Sequence, residues 1–239
     1  MMHNPPPRAT ERQGVQSLAR SRRAPATERS VRSREMLLET AERLFAEHGI
    51  VAVSNRQISE AAGQGNNSAV GYHFGTKVDL LRAVARRHSA HIDQRREEMV
   101  IRVAGSTDVR EWVDCMVRPK IAHLESLGQP TWYGRFVAQL MTDPALGEVV
   151  EQEALEARSL RLVLEGLERC RPELPPEVRG ERDDMARQLM VHTVAERERA
   201  LADGLPTPRA TWADAATGLA DAITGLWLAP WTPPAELPD

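Results

Sequence analysis

The sequence predicts an all-α protein: an N-terminal three-helix domain in a helix-turn-helix arrangement, followed by a larger helical domain. Three observations carry that prediction. Apolar residues recur at three- and four-residue steps through most of the chain, and no stretch alternates apolar and polar residues for long enough to make a strand. Two short capped segments of about two turns each, joined by a glycine-containing turn, sit between longer helical stretches. The 239 residues fit one large domain or two unequal ones, since a domain takes about 150.

Residues 1–29 hold Pro5, Pro6, Pro7 and Pro25, many arginines and almost nothing that could form a core, so they read as a flexible arm. From Ser30, the positions Leu37, Ala41, Leu44, Phe45 and His48 mark one face of a helix that Gly49 closes. Ser54 and Gln57 form a capping box opening a short helix with Ile58, Ala61 and Ala62 on its apolar face, and Gly63 stops it. The segment GQGNN is a turn by composition; Asn66 or Asn67 then caps a second short helix, SAVGYHF, which Gly75 ends. Thr76 with Asp79 caps a long helix that starts at Lys77. Further helices are predicted near residues 108–126, with Pro119 kinking or dividing the first, and near 131–142, 144–171, 176–203 and 209–228. The domains are then the arm at 1–29, the helix-turn-helix domain at 30–88, a helical domain at 89–230 and an irregular tail at 231–239.

The formal net charge is -3, yet the first 34 residues carry eight Arg against Glu11 and Glu28. A basic head on an acidic body raises the question of nucleic acid. The arm itself reads either as a solvated tail or as a basic arm that follows DNA. Cys115 and Cys170 are too few for a disulfide framework, and no Cys/His spacing suits zinc. The N-terminus lacks a signal-peptide core and no run approaches a membrane span, so a cytoplasmic protein with no membrane partner is expected. Neither GxSxG, P-loop nor HExxH motifs occur, and GQGNNS lacks the preceding strand that a dinucleotide loop needs. His192 and Glu196 lie four apart on one helix face, but no third ligand accompanies them. No catalytic residue, metal or cofactor is therefore expected. A helical enzyme, or a ligand-binding protein without sequence-specific DNA binding, is the alternative class.

In a helix-turn-helix one helix braces while the other presents its first side chains to base edges in the major groove. Asn55–Ala62 reads as the brace and Asn66–His73 as the reader. Ala61, Ala62 and Gly63 are small enough to let the two helices cross closely. Asn66, Asn67, Ser68 and Ala69 are the candidate groove residues, because Asn bonds adenine bidentately, Ser suits several bases and Ala touches a thymine methyl. Arg56 is placed to meet phosphate.

The segments LLETAERLFAEHG, SNRQISEAAG, the helix ending YHFG, then TK and DLL span about residues 33–84. With these spacings the chain resembles the tetracycline-repressor (TetR) family of bacterial transcription regulators. The resemblance implies backbone contacts from Tyr72 and His73, a phosphate contact from Lys77 and a C-terminal ligand-binding and dimerisation domain. It further implies a homodimer on a palindromic double-stranded DNA operator, with repression relieved by a small-molecule effector and activation as the open alternative. The chain departs from the family's usual pattern in a turn one residue longer and in Gly71, where Tyr is usual.

Most of the chain's few large side chains fall in the middle of the second domain: Trp112, Met116, His123, Trp132, Tyr133, Phe136, Met141 and Met190. Together they suit an adaptable apolar pocket, with Arg135 and His123 as polar anchors, and the expected effector is largely apolar. The last helix carries Trp212, Ala216, Leu219, Ile223 and Leu226 on one stripe and Ala215, Gly218, Ala222 and Gly225 on the next. Each interior Gly costs about 1 kcal/mol relative to Ala, which close packing against another helix would explain. In the resembling family the last two long helices pair across a two-fold axis. Residues 180–203 and 209–228 are therefore the expected dimer interface, with Trp212, Ala215, Gly218, Leu219, Ala222, Ile223, Gly225 and Leu226 at its centre.

Overall fold

A computed structural model describes residues 26–233. Among them are ten helices and no strand: α1 (Ala26–His48), α2 (Asn55–Ala61), α3 (Ala69–Phe74), α4 (Lys77–Arg102), α5 (Val109–Ser126), α6 (Tyr133–Leu140), α7 (Pro144–Leu155), α8 (Arg158–Cys170), α9 (Pro176–Ala202) and α10 (Trp212–Leu228). The first 25 residues of the arm and residues 234–239 of the tail lie outside the described residues.

Three sequence expectations about elements need correction. The helix α1 starts at Ala26, inside the stretch read as an arm: Ala26 follows Pro25, and Glu28 in the first turn complements the positive helix end. The helix α5 continues through Pro119 undivided, with that proline buried where α4, α8 and α10 pack against it. The stretch read as one helix over 144–171 is two, broken at Glu156–Ala157 without a Gly or Pro. Arg161 fills the role of a breaker, its Nη1 donating to the Leu155 carbonyl at 2.6 Å and the Glu156 carbonyl at 2.8 Å. Carbonyls at a helix end need such donors.

The head is formed by α1 to α3 and the start of α4, around Leu37, Leu38, Phe45, Ile58, Val70, Leu80 and Val84. The body packs α5 between α4, α8 and α10, and α6 against α9. Its tightest approach is at Gly166, where an added Cβ would lie 2.3 Å from the Trp112 ring. Head and body share one continuous core. The rings of Phe45 on α1 and Phe136 on α6 stack with centroids 6.2 Å apart, and α4 runs from one part into the other.

Candidate nucleic-acid interface and interior cavity

Local chemistry builds the α2–turn–α3 unit. The Ser54 hydroxyl accepts from the Gln57 amide at 3.2 Å, while Gln57 Oε1 accepts from the Ser54 amide at 2.8 Å, so the capping box is formed. Ile58, Ser59 and Ala62 face inward. Gly63 has φ +65, and an added Cβ there meets nothing within 4 Å. It is therefore required by the backbone turn rather than by close crossing of the helices; Ala61 is exposed, and only Ala62 of the three is buried. The turn is tied to α1 by Ser33, whose hydroxyl donates to Gln64 Oε1 at 3.0 Å.

Asn66 Oδ1 accepts from the Ser68 amide at 2.9 Å, an Asx turn leading into α3. The reading helix is thus shorter than the sequence suggested, six residues from Ala69. Asn66, Asn67, Ser68, Gly71 and Tyr72 are exposed, Tyr72 at 82%. Ala69 is a correction: it is buried with Val70 against the head core and presents nothing to a groove. His73 is half-buried and packs edge-on against Tyr72. Arg56 is exposed on α2 and pairs with Glu60 at 2.7 Å. Arg34 was not singled out in the sequence; it lies on α1 with its guanidinium 4.9 Å from the Phe74 ring, beside the end of α3.

Lys77 is the second correction. Its ammonium donates to the carbonyls of Ile50 and Val53, the latter at 2.7 Å, and lies 5.6 Å from the Phe45 ring. Carbonyls left open after α1 draw it inward, and burial lowers its pKa. A capping box at the start of α4 uses the amides of Thr76 and Asp79, both joined to the partner's side chain.

Successive residues of α4 clamp its neighbours. Arg86 pairs with Glu153 of α7. Arg87 pairs with Glu35 at 2.5 Å and Glu39 at 2.8 Å on α1. His88 is buried between Glu42 of α1 (Nε2 to Oε2, 2.9 Å) and His123 of α5 (Nδ1 to Nε2, 2.8 Å), with the Tyr133 ring stacked on it at 4.0 Å. Burial next to His88 and His91 holds the His123 imidazole at about 4.

A cavity of about 400 Å³ opens one turn further along α4 and is lined from α4 to α10. Of the expected pocket residues, Met116, Tyr133, Met141 and Met190 line it. The other five are corrections. Trp112 packs over Gly166 and donates to the Ser106 carbonyl at 3.0 Å. His123 belongs to the buried histidine chain, and Phe136 to the head–body contact. Trp132 caps α6 against the core, while Arg135 turns to the Thr131 carbonyl at 3.0 Å and to Glu198. Side-chain size predicted them, but size does not fix which neighbour a helix face meets. Ile92, Asp93, Arg96, Lys120, Leu164 and Trp227 line the cavity and were not anticipated. Lys120 was legible: it lies four residues after Met116 on the stripe already picked out. Burial, with Arg96 nearby, lowers its amine to about 8.

On α10, Trp212, Leu219 and Ile223 are buried within the chain, a correction to their expected place in a dimer interface. They pack inward because α10 lies on α5 and α9, with the Arg197 guanidinium of α9 4.9 Å from the Trp212 ring. Ala222 and Gly225 are exposed, and Ala215, Gly218 and Leu226 half-buried. Both cysteines are free, and no metal-binding cluster is found among the described residues. None of the described helices is long and apolar enough to cross a membrane.

Residues 37–84 match the family model for bacterial regulatory proteins of the tetR family. The chain is 40% identical over 65 residues to the HTH-type transcriptional repressor AcnR of Corynebacterium efficiens, covering 27% of this chain and 34% of that one. It is 39% identical over 67 residues to AcnR of Corynebacterium glutamicum, covering 28% and 35%. The match thus spans about a third of the length of these relatives. A crystal structure of a TetR family transcription regulator from Marinobacter aquaeolei VT8 aligns with a TM-score of 0.55 at 17% identity, covering 84% of this chain and 97% of that one. At that identity the likeness is one of fold.

Proposed function

We propose that this chain, whose residues 37–84 belong to the tetR family of bacterial regulatory proteins, is a DNA-binding transcriptional regulator acting as a homodimeric, effector-released repressor. The observation that carries the reading is the edge of α3: Asn66, Asn67 and Ser68 stand exposed ahead of a helix whose opposite side is locked into the head core. These residues read base edges, while Tyr72, His73, Arg56, Arg34 and the amides of Lys77 and Val78 meet backbone and phosphates. Two copies place two α3 helices in successive major grooves of a palindromic site about one turn apart.

The cavity supports the effector part of the reading. Its α4 wall, Ser89, Ile92, Asp93 and Arg96, directly follows the residues by which α4 grips α1. A small molecule that prefers one spacing of α4, α5 and α7 shifts the separation of the two heads by its differential affinity for the two states. Selection of bound duplexes from a random pool tests the DNA reading. A palindromic consensus is expected, with Asn67→Ala changing the preferred base at one position per half-site and leaving thermal stability unchanged. A pool that shows no enrichment overturns the assignment.

A further inference from the structure

The chain has two lysines, Lys77 and Lys120. Lys77 spends its ammonium on two backbone carbonyls. Lys120, half-buried on α5, lines the cavity and makes no hydrogen bond or ion pair among the described residues. A partly desolvated ammonium without a counter-charge is unfavourable.

The other charged residues of the lining are paired, with one exception. On α4, Arg96 is buried and donates to Asp93 at 2.6 Å and to Ser159 at 3.3 Å. On α9, Asp184 holds Arg187 at 2.8 Å, and Asp183 is taken by Arg171. Tyr133 of α6 stays neutral, since burial pushes its phenol up. On α7, Glu151 also lines the cavity, exposed and in no ion pair among the described residues, so the lining as a whole carries no surplus charge. The elements α8 and α10 bring only apolar lining, including Leu164 and Trp227. Among the described residues, Lys120 is thus the lining cation that has no ion pair.

We propose that this cavity binds a monocarboxylate with an apolar body, its carboxylate seated on the Lys120 ammonium and its body against Ile92, Met116, Met190 and Trp227. The proposal rests on the effector-released reading above and narrows its ligand class. A single carboxylate supplies the counter-charge that the Lys120 ammonium lacks, whereas a dianion brings a second negative charge into a lining whose other cations are already paired. The volume lies within the range of roughly 300–1,000 Å³ that small ligands fill. With the amine at about 8, the site is cationic at pH 7 and loses its charge as pH rises toward 9, so carboxylate affinity falls over that window.

Calorimetric titration of the full chain with decanoate, and with 1-decanol as its neutral counterpart, tests the proposal. Wild type should prefer decanoate at least tenfold at pH 7 and lose most of that preference at pH 9. Lys120→Met should cost decanoate tenfold or more and leave 1-decanol unchanged, while Lys120→Arg should keep the preference at pH 9. Thermal unfolding of each variant establishes that it is folded. Equal binding of the two compounds by wild type, a preference retained in Lys120→Met, or no binding of either overturns the proposal. A parallel gel shift on the selected duplex separates the two levels of inference. If 1-decanol alone binds and releases DNA, the carboxylate assignment falls and the regulator stands. If decanoate binds through Lys120 without weakening DNA binding, the site stands and the effector-released reading falls.

Discussion

Gly166 and Gly180 are both helical, and the structure assigns them opposite outcomes. A Cβ at Gly166 would meet three ring atoms of Trp112 at 2.3–2.4 Å, whereas at Gly180 it meets nothing within 4 Å. Gly166→Ala should therefore destabilise by about 1–3 kcal/mol, the usual cost of overpacking. Gly180→Ala should stabilise by about 1 kcal/mol through helix propensity. Urea midpoints at unchanged m-value measure both, and the same sign for the two would contradict the Trp112–Gly166 contact. Lys77 poses a sharper question, because the sequence places it at a phosphate-contacting position while its ammonium serves the Ile50 and Val53 carbonyls. Lys77→Met should cost about 1–3 kcal/mol, since it leaves buried acceptors without their donor, and should leave the salt dependence of DNA binding nearly unaltered. Unchanged stability with a reduced salt slope would return the ammonium to the phosphate.

At the level of elements, α4 is the link between head and body, and its histidine chain gives stability a pH signature. The folded state holds His123 at about 4, whereas an unfolded His takes its proton near 6.5. Between those values the unfolded chain binds more protons, so the contribution is complete above about pH 6.5 and is lost as pH falls toward 4. His123→Gln should flatten that part of the melting-temperature profile. The variant also separates His123 from Glu198, whose carboxyl burial pushes up and which titrates with the opposite sign. A slope equal in wild type and variant would remove His123 from the account. The same comparison of elements explains what was legible in the sequence. The unit α2–turn–α3 was legible because its signals are local: Ser54 with Gln57, and the glycines at 63 and 75. The break between α7 and α8 was not, because Arg161 rather than a glycine or proline captures the open carbonyls. The cavity was half legible: Met116, Tyr133, Met141 and Met190 stand in it, but Trp112 and Phe136 of the same size class are used as packing between elements.

For the whole molecule, the outer face of α10 is the feature that the single chain does not account for. Trp212, Leu219 and Ile223 are buried within the chain, leaving Ala222 and Gly225 exposed and Gly218 against the Arg209 guanidinium. A Cβ at Gly225 meets nothing within 4 Å. Gly218 makes room for the Arg209 side chain, but Gly225 forgoes about 1 kcal/mol of helix propensity with no close neighbour in its own chain, and on the dimer reading a helix of a second copy laid along this stripe supplies the missing reason. The dimer reading then makes a linked pair of predictions. Ala222→Glu sets like charges against each other across a two-fold axis, so light scattering should show half the wild-type mass at micromolar concentration with helical content retained. Because a dimer neutralises twice the phosphates of one head, the slope of log affinity against log salt should fall to about half in the monomeric variant. A wild-type chain that scatters as a monomer removes the dimer altogether. A variant that stays dimeric moves the interface off α10, and a monomer with the full salt slope would mean that one head alone makes all the phosphate contacts.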